Sequence, residues 1–198
     1  CIFHVSMPTI SFSTRSEDDR LTGLSDITFH PACIARLAIR AMHAGKNVIS
    51  EKPVTLASSD LQEMVNVAKE TGKFLTVHQN RRWDDDFLII RKVVEEQKRG
   101  HVFRIESRVH GSRGIPGDWR KEKIHGGGMV LDWGVHLLDQ ILYLNGNRKI
   151  ETVYASLTHI TNQEVDDGFT TILTFEGGTE VLVEVGTNNY ISLPRWYV

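Results

Sequence analysis

Two amphipathic helices are predicted in the first half of the chain by the spacing of apolar residues. Apolar side chains recur every three or four positions from Ile34 to Met42, and Gly45 follows where a helix commonly ends. A second helical pattern ends near position 72, and Ser59 with Gln62 predicts a capping box at its start. We therefore expect two consecutive helices, each with one apolar side.

Short strands at residues 47–50 and 74–77 flank the second helix. A strand, helix and strand joined by short links predict a right-handed parallel crossover. Both strands then end in polar residues, Glu51-Lys52-Pro53 and His78-Gln79-Asn80-Arg81-Arg82. Ligands bind at this carboxyl edge in open α/β sheets. The topology therefore predicts that Lys52 and Asn80 lie near each other at a ligand site.

The pattern changes after position 82. A helix is predicted from residue 87, and residues 103–110 then alternate between apolar and charged side chains, as in a half-exposed strand. Further strands are predicted near 151–160, 169–176 and 180–186, with a hairpin turn at Gly177-Gly178. The fold class expected is α/β plus α+β. Residues 1–80 would form part of a Rossmann domain, and residues 81–198 a mainly antiparallel open sheet with a packed helix.

That packed helix follows Gly126-Gly127-Gly128 and carries Asp132 and His136. Residues four positions apart share a helix face, so these two side chains can act on one bound molecule. The surrounding residues to Leu144 are mostly apolar, which predicts a buried helix on which ionisable groups are costly unless partnered or used. We predict acid–base chemistry on a small ligand. The alternative is a polar stripe facing a solvent cleft.

Composition and charge exclude several other classes of protein. The 198-residue chain has a formal net charge of −2, and this lack of basic excess argues against nucleic-acid binding. Its two cysteines suggest a reducing compartment, and no apolar run has membrane-spanning length. We therefore expect a cytoplasmic protein without membrane contacts. No His or Cys spacing typical of a metal site occurs, so no metal is expected.

Four features together resemble the glucose–fructose oxidoreductase / inositol dehydrogenase / rhizopine-catabolism (Gfo/Idh/MocA) family of nicotinamide-dependent oxidoreductases. The likeness extends over roughly residues 28–198. Its features are the segment 41–53 ending in Glu51-Lys52-Pro53, the sequence Gln79-Asn80-Arg81-Arg82, the three glycines with Asp132 and His136, and Leu193-Pro194-Arg195. The first feature alone is weak, but its combination with the glycine–aspartate–histidine helix about 75 residues later is specific.

The resemblance implies an active site between a Rossmann domain and an open-sheet domain. NAD or NADP would exchange a hydride with a carbinol carbon of a sugar, cyclitol or related polyol. The catalytic residues implied are Lys52 beside the nicotinamide and reacting oxygen, Asp132 as the substrate-binding carboxylate and His136 as the acid/base. Glu51, Lys52, Pro53, Gln79 and Asn80 would contact the cofactor, and Lys52, Arg81, Trp119, Asp132 and His136 the substrate. Family members often form homo-oligomers, dimers or tetramers, through the open sheet.

The sequence departs from the family pattern in two places. No Gly-x-Gly-x-x-Gly occurs, although the family uses such a loop to hold the pyrophosphate, and only Asp26-Ile27 precedes Thr28-Phe29 where a longer buried strand is expected. The chain also stops at Val198, where family members continue through further strands. We therefore expect an incomplete member, lacking an opening nucleotide-binding segment and some closing strands.

Three functions are compatible with this resemblance. The first is a sugar or polyol dehydrogenase. The second is an NAD-dependent glycoside hydrolase that oxidises its substrate transiently, and the third is a non-catalytic dinucleotide sensor. Joint retention of Lys52, Asp132 and His136 argues against a sensor, which needs no proton-transfer residue. The sequence leaves open the choice between NAD and NADP and the identity of the substrate.

Overall fold

The structure, a computed structural model, describes residues 10–12, 31–96 and 100–198. It separates into two compact units, the first ending at His78 and the second beginning at Gln79. The short apolar stretch at residues 26–29, where a longer strand was expected, lies outside the described residues.

The first unit has a three-stranded sheet in its described part, with helices α1 and α2. Its elements are β1 (Ile10–Phe12), α1 (Pro31–His43), β2 (Val48–Ser50), α2 (Ser58–Thr71) and β3 (Leu75–Val77). Strands β2 and β3 are parallel, with Ser50 opposite Val77, which confirms the predicted parallel pairing. Strand β1 pairs antiparallel with β2 in a stretch where no strand was predicted. Met42, Val48 and Met64 are fully buried between helices and sheet.

The predicted capping box at the start of α2 is wrong. The helix begins at Ser58, and the residue before it, Ala57, has no side chain that can cap it. Ser59 already lies inside the first turn, and Gln62 donates a hydrogen bond forward to Asn66 instead of back to the helix start. The predicted end is confirmed, because Gly72 follows the helix in the left-handed conformation.

The second unit contains a mixed sheet and the helix that carries Asp132 and His136. Its helices and turns are a 3-10 turn (Asn80–Trp83), α3 (Asp85–Glu96), two further 3-10 turns (Trp119–Lys121 and Lys123–His125), a π-turn (Val130–Gly134) and α4 (Val135–Asn145). Its strands are β4 (Arg104–His110), β5 (Ile150–Thr158), β6 (Gly168–Phe175), β7 (Thr179–Gly186) and β8 (Trp196–Tyr197). In the described residues the strand order is β5-β6-β7-β4-β8. All neighbours are antiparallel except β4 and β7, so the predicted mainly antiparallel sheet is confirmed.

Helix α4 packs on one face of this sheet. Leu137 and Ile141 are fully buried against the inward side chains of the strands, among them Phe175 and Val181. The outer side of α4 is exposed, with Leu142 47% and Tyr143 45% accessible. The expectation of a helix buried nearly all round is therefore wrong, because a helix lying on a sheet keeps one side outward.

The charged face of β4 is also less exposed than its alternation predicted. Arg108 and His110 have side chains only 10% and 3% accessible. Glu106 accepts hydrogen bonds from both Arg104 and Arg108, and the bond from Arg108 is the main cause holding the pKa of Glu106 below its usual value. Because β4 lies between β7 and β8, neighbouring strands cover its charged side chains.

Asp167, buried in the loop before β6, should make stability depend on pH. Its carboxylate accepts hydrogen bonds from Thr158 Oγ1 at 2.7 Å and from the Thr161 amide at 2.5 Å. Burial opposes ionisation, but these bonds outweigh it and lower the pKa of Asp167. The pKa of this carboxyl group is lower in the folded protein than in the unfolded chain, where it is near 4, so ionised Asp167 stabilises the fold at pH values above 4. This contribution is lost as the pH falls from there through the pKa of the folded state. We expect urea unfolding at a series of pH values to show a steeper acid loss in the wild type than in Asp167→Asn.

The matched control is Asp85→Asn, which changes an exposed aspartate of the same unit. Equal acid slopes for the wild type and Asp167→Asn would show that Asp167 does not carry the effect.

Candidate active site

A polar stripe on the site helix begins with Asp132 and His136. Asp132 lies in the π-turn, His136 in the first turn of α4, and Gln140 one turn further. All three are buried, at 7%, 5% and 0% accessibility, which places them on the inner side of the segment. A regular helix was predicted here. The widened π-turn is a feature often found at functional sites.

Asp132 is paired with Arg120 from the preceding loop. Arg120 Nε donates to Asp132 Oδ2 at 2.7 Å, and Arg120 Nη1 donates to Asp118 Oδ2 at 2.7 Å. The guanidinium carbon also lies 4.6 Å from the centre of the Trp119 ring. Burial opposes the charge on Arg120, but the bond to Asp132 outweighs it and raises the pKa of Arg120. The structure therefore places Trp119, predicted as a substrate contact, against the cation that holds Asp132.

His136 contacts the side chain of Gln79. The distance from His136 Nδ1 to Gln79 Oε1 is 3.2 Å, and the imidazole and the Trp133 ring form an edge-to-face pair with their centres 6.2 Å apart. Gln79 was predicted to contact the cofactor. Within the second unit, the side-chain amide of Gln79 contacts His136, the predicted acid/base residue. The contact of Gln79 with a cofactor stays a prediction.

The 3-10 turn that follows Gln79 is fixed to the site helix. Gln140 Nε2 donates to the carbonyl oxygen of Arg81 at 2.6 Å. Arg82 donates two hydrogen bonds to Asp139, at 2.7 and 2.6 Å. The guanidinium carbon of Arg81 lies 4.1 Å from the centre of the Trp133 ring, a cation–π distance. Arg81, expected to contact substrate, is thus stacked on an aromatic residue of the site, whereas Asn80 is exposed.

The glycine segment brings the start of the site helix against protein atoms. A Cβ at Gly127 would lie 2.4 Å from the carbonyl oxygen of Arg120, and a Cβ at Gly128 would lie 2.2 Å from Asp166 Oδ1. Asp166 in turn accepts a hydrogen bond from the amide of Val130, and burial raises the pKa of Asp166. In the described residues Gly127 allows close packing of the loop that carries Arg120, and Gly128 allows close packing of the segment that carries Asp166.

A cavity of about 470 Å³ adjoins this site within the second unit. Asp132 and Trp133 line it, together with Arg113, Asn189 and Tyr190 from the loops after β4 and β7. This volume lies in the range of small-molecule sites. A cavity of about 580 Å³ lies near the other end of α4, around Asn145 and Arg148, whose side chains hydrogen-bond to each other. Of these two cavities, the smaller one is lined by a residue of the polar stripe, Asp132.

Two polar partners, the buried Gln140 and the half-buried Arg120, were missed in the sequence. Gln140 lies four residues after His136, so the spacing of Asp132, His136 and Gln140 could have identified it as part of the same stripe. Arg120 is twelve positions before Asp132 in an irregular loop. No periodicity relates those two residues, and only the folded loop reveals the pair.

The remaining predicted residues follow β2 in the first unit. Pro53 is buried, whereas Glu51 and Lys52 are half-buried. His78 Nδ1 lies 2.9 Å from Glu51 Oε1, and the His78 amide donates to the carbonyl oxygen of Ser50. Polar groups therefore gather at the carboxyl edge of β2 and β3, which is the edge where α/β sheets hold dinucleotides.

Within residues 10–12, 31–96 and 100–198, no three His, Cys, Asp or Glu residues are grouped to hold a metal ion. None of the helices in the described part of the chain has the length and apolar character needed to cross a membrane.

Comparison with protein families extends these observations to both units. Residues 87–198 match the model of the GFO/IDH/MocA C-terminal domain. Residues 23–79 match the model of an oxidoreductase family with an NAD-binding Rossmann fold. The chain belongs to the GFO/IDH/MocA family, whose N-terminal model describes oxidoreductases with an NAD-binding Rossmann fold. The resemblance found in the sequence is confirmed, as is the family's nicotinamide cofactor.

Individual relatives agree with this assignment. An uncharacterized oxidoreductase, C115.03 of Schizosaccharomyces pombe, is 33% identical over 74% of this chain and 41% of its own length. The scyllo-inositol 2-dehydrogenase (NADP(+)) IolW of Bacillus subtilis is 32% identical over 63% of this chain and 35% of its own. The crystal structure of an NAD-binding protein from Listeria innocua superposes with a TM-score of 0.80 at 56% identity, covering 83% of this chain and 49% of that one. The chain thus spans less than half the length of these relatives.

Proposed function

We propose that the chain is part of an NAD(P)-dependent oxidoreductase that transfers a hydride between nicotinamide and a carbinol carbon of a sugar, cyclitol or related polyol. Residues 1–80 would belong to its dinucleotide-binding domain and residues 81–198 to its substrate-binding domain. The observation that carries the proposal is the buried Asp132–His136 stripe beside a 470 Å³ cavity. The name of the inositol dehydrogenase from B. subtilis supports a polyol substrate. A cytoplasmic location is part of the proposal and rests on the cysteine content.

The residues have distinct chemical roles in this reaction. Oxidation of an alcohol requires removal of the hydroxyl proton, and a histidine that titrates near neutrality is suited to accept it. Asp132, kept in place by Arg120, would accept a hydrogen bond from a substrate hydroxyl. Lys52 would stabilise negative charge that develops on the reacting oxygen. The nicotinamide, when bound, supplies the hydride acceptor.

The deciding experiment tests the full-length protein for two products, reduced nicotinamide and released aglycone. Purified protein is incubated with NAD or NADP and a panel of inositols, free sugars and aryl glycosides. Formation of reduced nicotinamide with free polyols supports the proposal. Release of aglycone without net cofactor reduction would identify a glycoside hydrolase, and dinucleotide binding with neither product would identify a sensor. Either of the last two results would overturn the proposal.

We also propose that the protein forms homo-oligomers through the sheet face opposite α4. The strand registers place Tyr154, Ile172, Leu182, Glu106 and Tyr197 in one row across this face. Tyr154 is 62% and Tyr197 59% accessible in the single chain, and every residue of β5 is exposed. A broad face with exposed aromatic residues is typical of an association surface.

Tyr154→Lys should weaken this association, because it introduces a charge into the row. Sedimentation velocity should show a dimer or larger species for the wild type and a shift toward monomer for the variant. Tyr190→Lys is the control, since Tyr190 is 88% accessible but lies in the loop after β7. A wild-type monomer, or an equal response of both variants, would contradict an interface on this face.

A further inference from the structure

Gln79 contacts His136 in a way that bears on which imidazole nitrogen carries the proton. The amide oxygen Oε1 of Gln79 lies 3.2 Å from His136 Nδ1. An amide oxygen can only accept a hydrogen bond, so a hydrogen bond between these two atoms requires the proton to be on Nδ1. In a neutral imidazole the other nitrogen, Nε2, then holds the lone pair.

We infer that Gln79 is a positioning residue that holds His136 with its proton on Nδ1, so that Nε2 is the nitrogen that accepts a proton. This inference deepens the proposed function and rests on it for its catalytic meaning. The opposite tautomer would place a hydrogen on Nε2, and neutral His136 would then have no lone pair there to receive the proton of a substrate hydroxyl. The identity of the atom facing Nδ1 therefore decides whether His136 can act as a base through Nε2.

The position of Gln79 is set by the rigid turn that follows it. The Gln79 carbonyl oxygen accepts a hydrogen bond from the Arg82 amide at 3.1 Å, which starts the 3-10 turn. The turn is bonded to the site helix through Asp139 and Gln140 and stacks on Trp133 through Arg81. These contacts lie on both sides of His136 in the sequence. The helix that carries His136 thus also holds Gln79 against the imidazole, and a precise functional contact requires such support.

A neutral amide at this position also differs from the carboxylate found beside many catalytic histidines. A carboxylate would orient the ring in the same way but would favour its charged form. Glutamine supplies the acceptor without adding a negative charge. Two effects are therefore distinct at this position: the orientation of the ring and the pKa of the imidazole. Variants at position 79 can test each of them.

The first test measures the tautomer directly and needs no cofactor or substrate. Long-range ¹H–¹⁵N correlation spectra of histidine-labelled protein distinguish a protonated nitrogen from one with a lone pair, and His136→Asn identifies the signals of His136. We expect Nδ1 to be protonated in the wild type and in Gln79→Glu, and Gln79→Met to give a mixture of tautomers. Gln62→Met makes the same change at an exposed position in α2, and the His136 signals of this variant should match those of the wild type. Protonation at Nε2 in the wild type, or a single unchanged tautomer in Gln79→Met, would overturn the inference.

The second test uses the pH dependence of the reaction. Gln79→Met should lower kcat by about 10–100-fold, the rate equivalent of losing a hydrogen bond to a group that becomes charged, with a smaller change in KM. Gln79→Glu should recover most of that rate and move the acid limb of the pH–rate profile upward by about one unit. A residue that served only the fold would not shift this limb, so an unshifted profile in Gln79→Glu counts against the inference. If the tautomer is as inferred but no dehydrogenase activity exists, only the proposed function fails.

Discussion

Replacing His136 with alanine is expected to lower turnover by about 10²–10⁴-fold, the usual contribution of a positioned acid/base group. The imidazole is 5% accessible and held by Gln79, so water has little opportunity to replace it at the same place. Dinucleotide affinity should change little, because the proposed role of the imidazole is to act on the substrate hydroxyl. Steady-state kinetics and calorimetric titration of the full-length protein with NAD and NADP measure the two quantities separately.

The control for this substitution is His101→Ala, which removes an exposed imidazole from the same unit. Its turnover should match that of the wild type. If His136→Ala also retained wild-type turnover, His136 would have no acid/base role, and another residue would have to accept the proton.

Gly127→Ala is expected to destabilise the second unit by about 1–3 kcal/mol, the typical cost of inserting a methyl group into a packed site. The added Cβ would lie 2.4 Å from the Arg120 carbonyl oxygen and 2.9 Å from that of Glu122, and backbone atoms cannot swing aside as the end of a side chain can. The loop must therefore shift, and Arg120 with it. We expect urea unfolding to show the loss of stability, and a higher KM to accompany it because the Asp132–Arg120 pair moves.

Gly117→Ala tests whether this effect comes from the close approach. Gly117 lies in the same loop, and a Cβ there would meet only the flexible end of Lys121, at 4.0 Å. Its free energy of unfolding should stay near that of the wild type. Equal losses in both variants would attribute the effect to the general loss of glycine in the loop.

The sequence predicted most of the fold because local patterns determine most of its elements. Helices α1 and α2, the parallel pair β2 and β3, and the hairpin between β6 and β7 each follow from apolar spacing and turn residues. Two of the errors came from effects between elements. Neighbouring strands cover the charges on β4, and α4 exposes Tyr143 because a sheet covers only one side of it.

The predicted chemistry of the site depended on two residues that lie close in sequence. Asp132 and His136 are separated by one helical turn, so their shared face could be derived from spacing alone. Their partners could not be predicted in this way. Gln79 precedes His136 by 57 positions, and Arg120 reaches Asp132 from a loop that contains only short 3-10 turns between β4 and the site helix. The family resemblance supplied residue types for this site but no hydrogen-bond partners.

The parallel pairing of β4 with β7 has a consequence for synthesis of the chain. Arg104 of β4 pairs with Glu180, 76 positions later, and the other neighbour of β4, β8, follows β7. On the ribosome β4 therefore emerges long before either of its neighbours exists. The apolar side of α4, which packs on β7 residues such as Val181, is also made before its covering surface. The nascent chain therefore exposes the apolar side of α4 and an unpaired β4 until position 186 has left the exit tunnel. Chaperones that bind exposed apolar segments would protect the chain from aggregation during this interval.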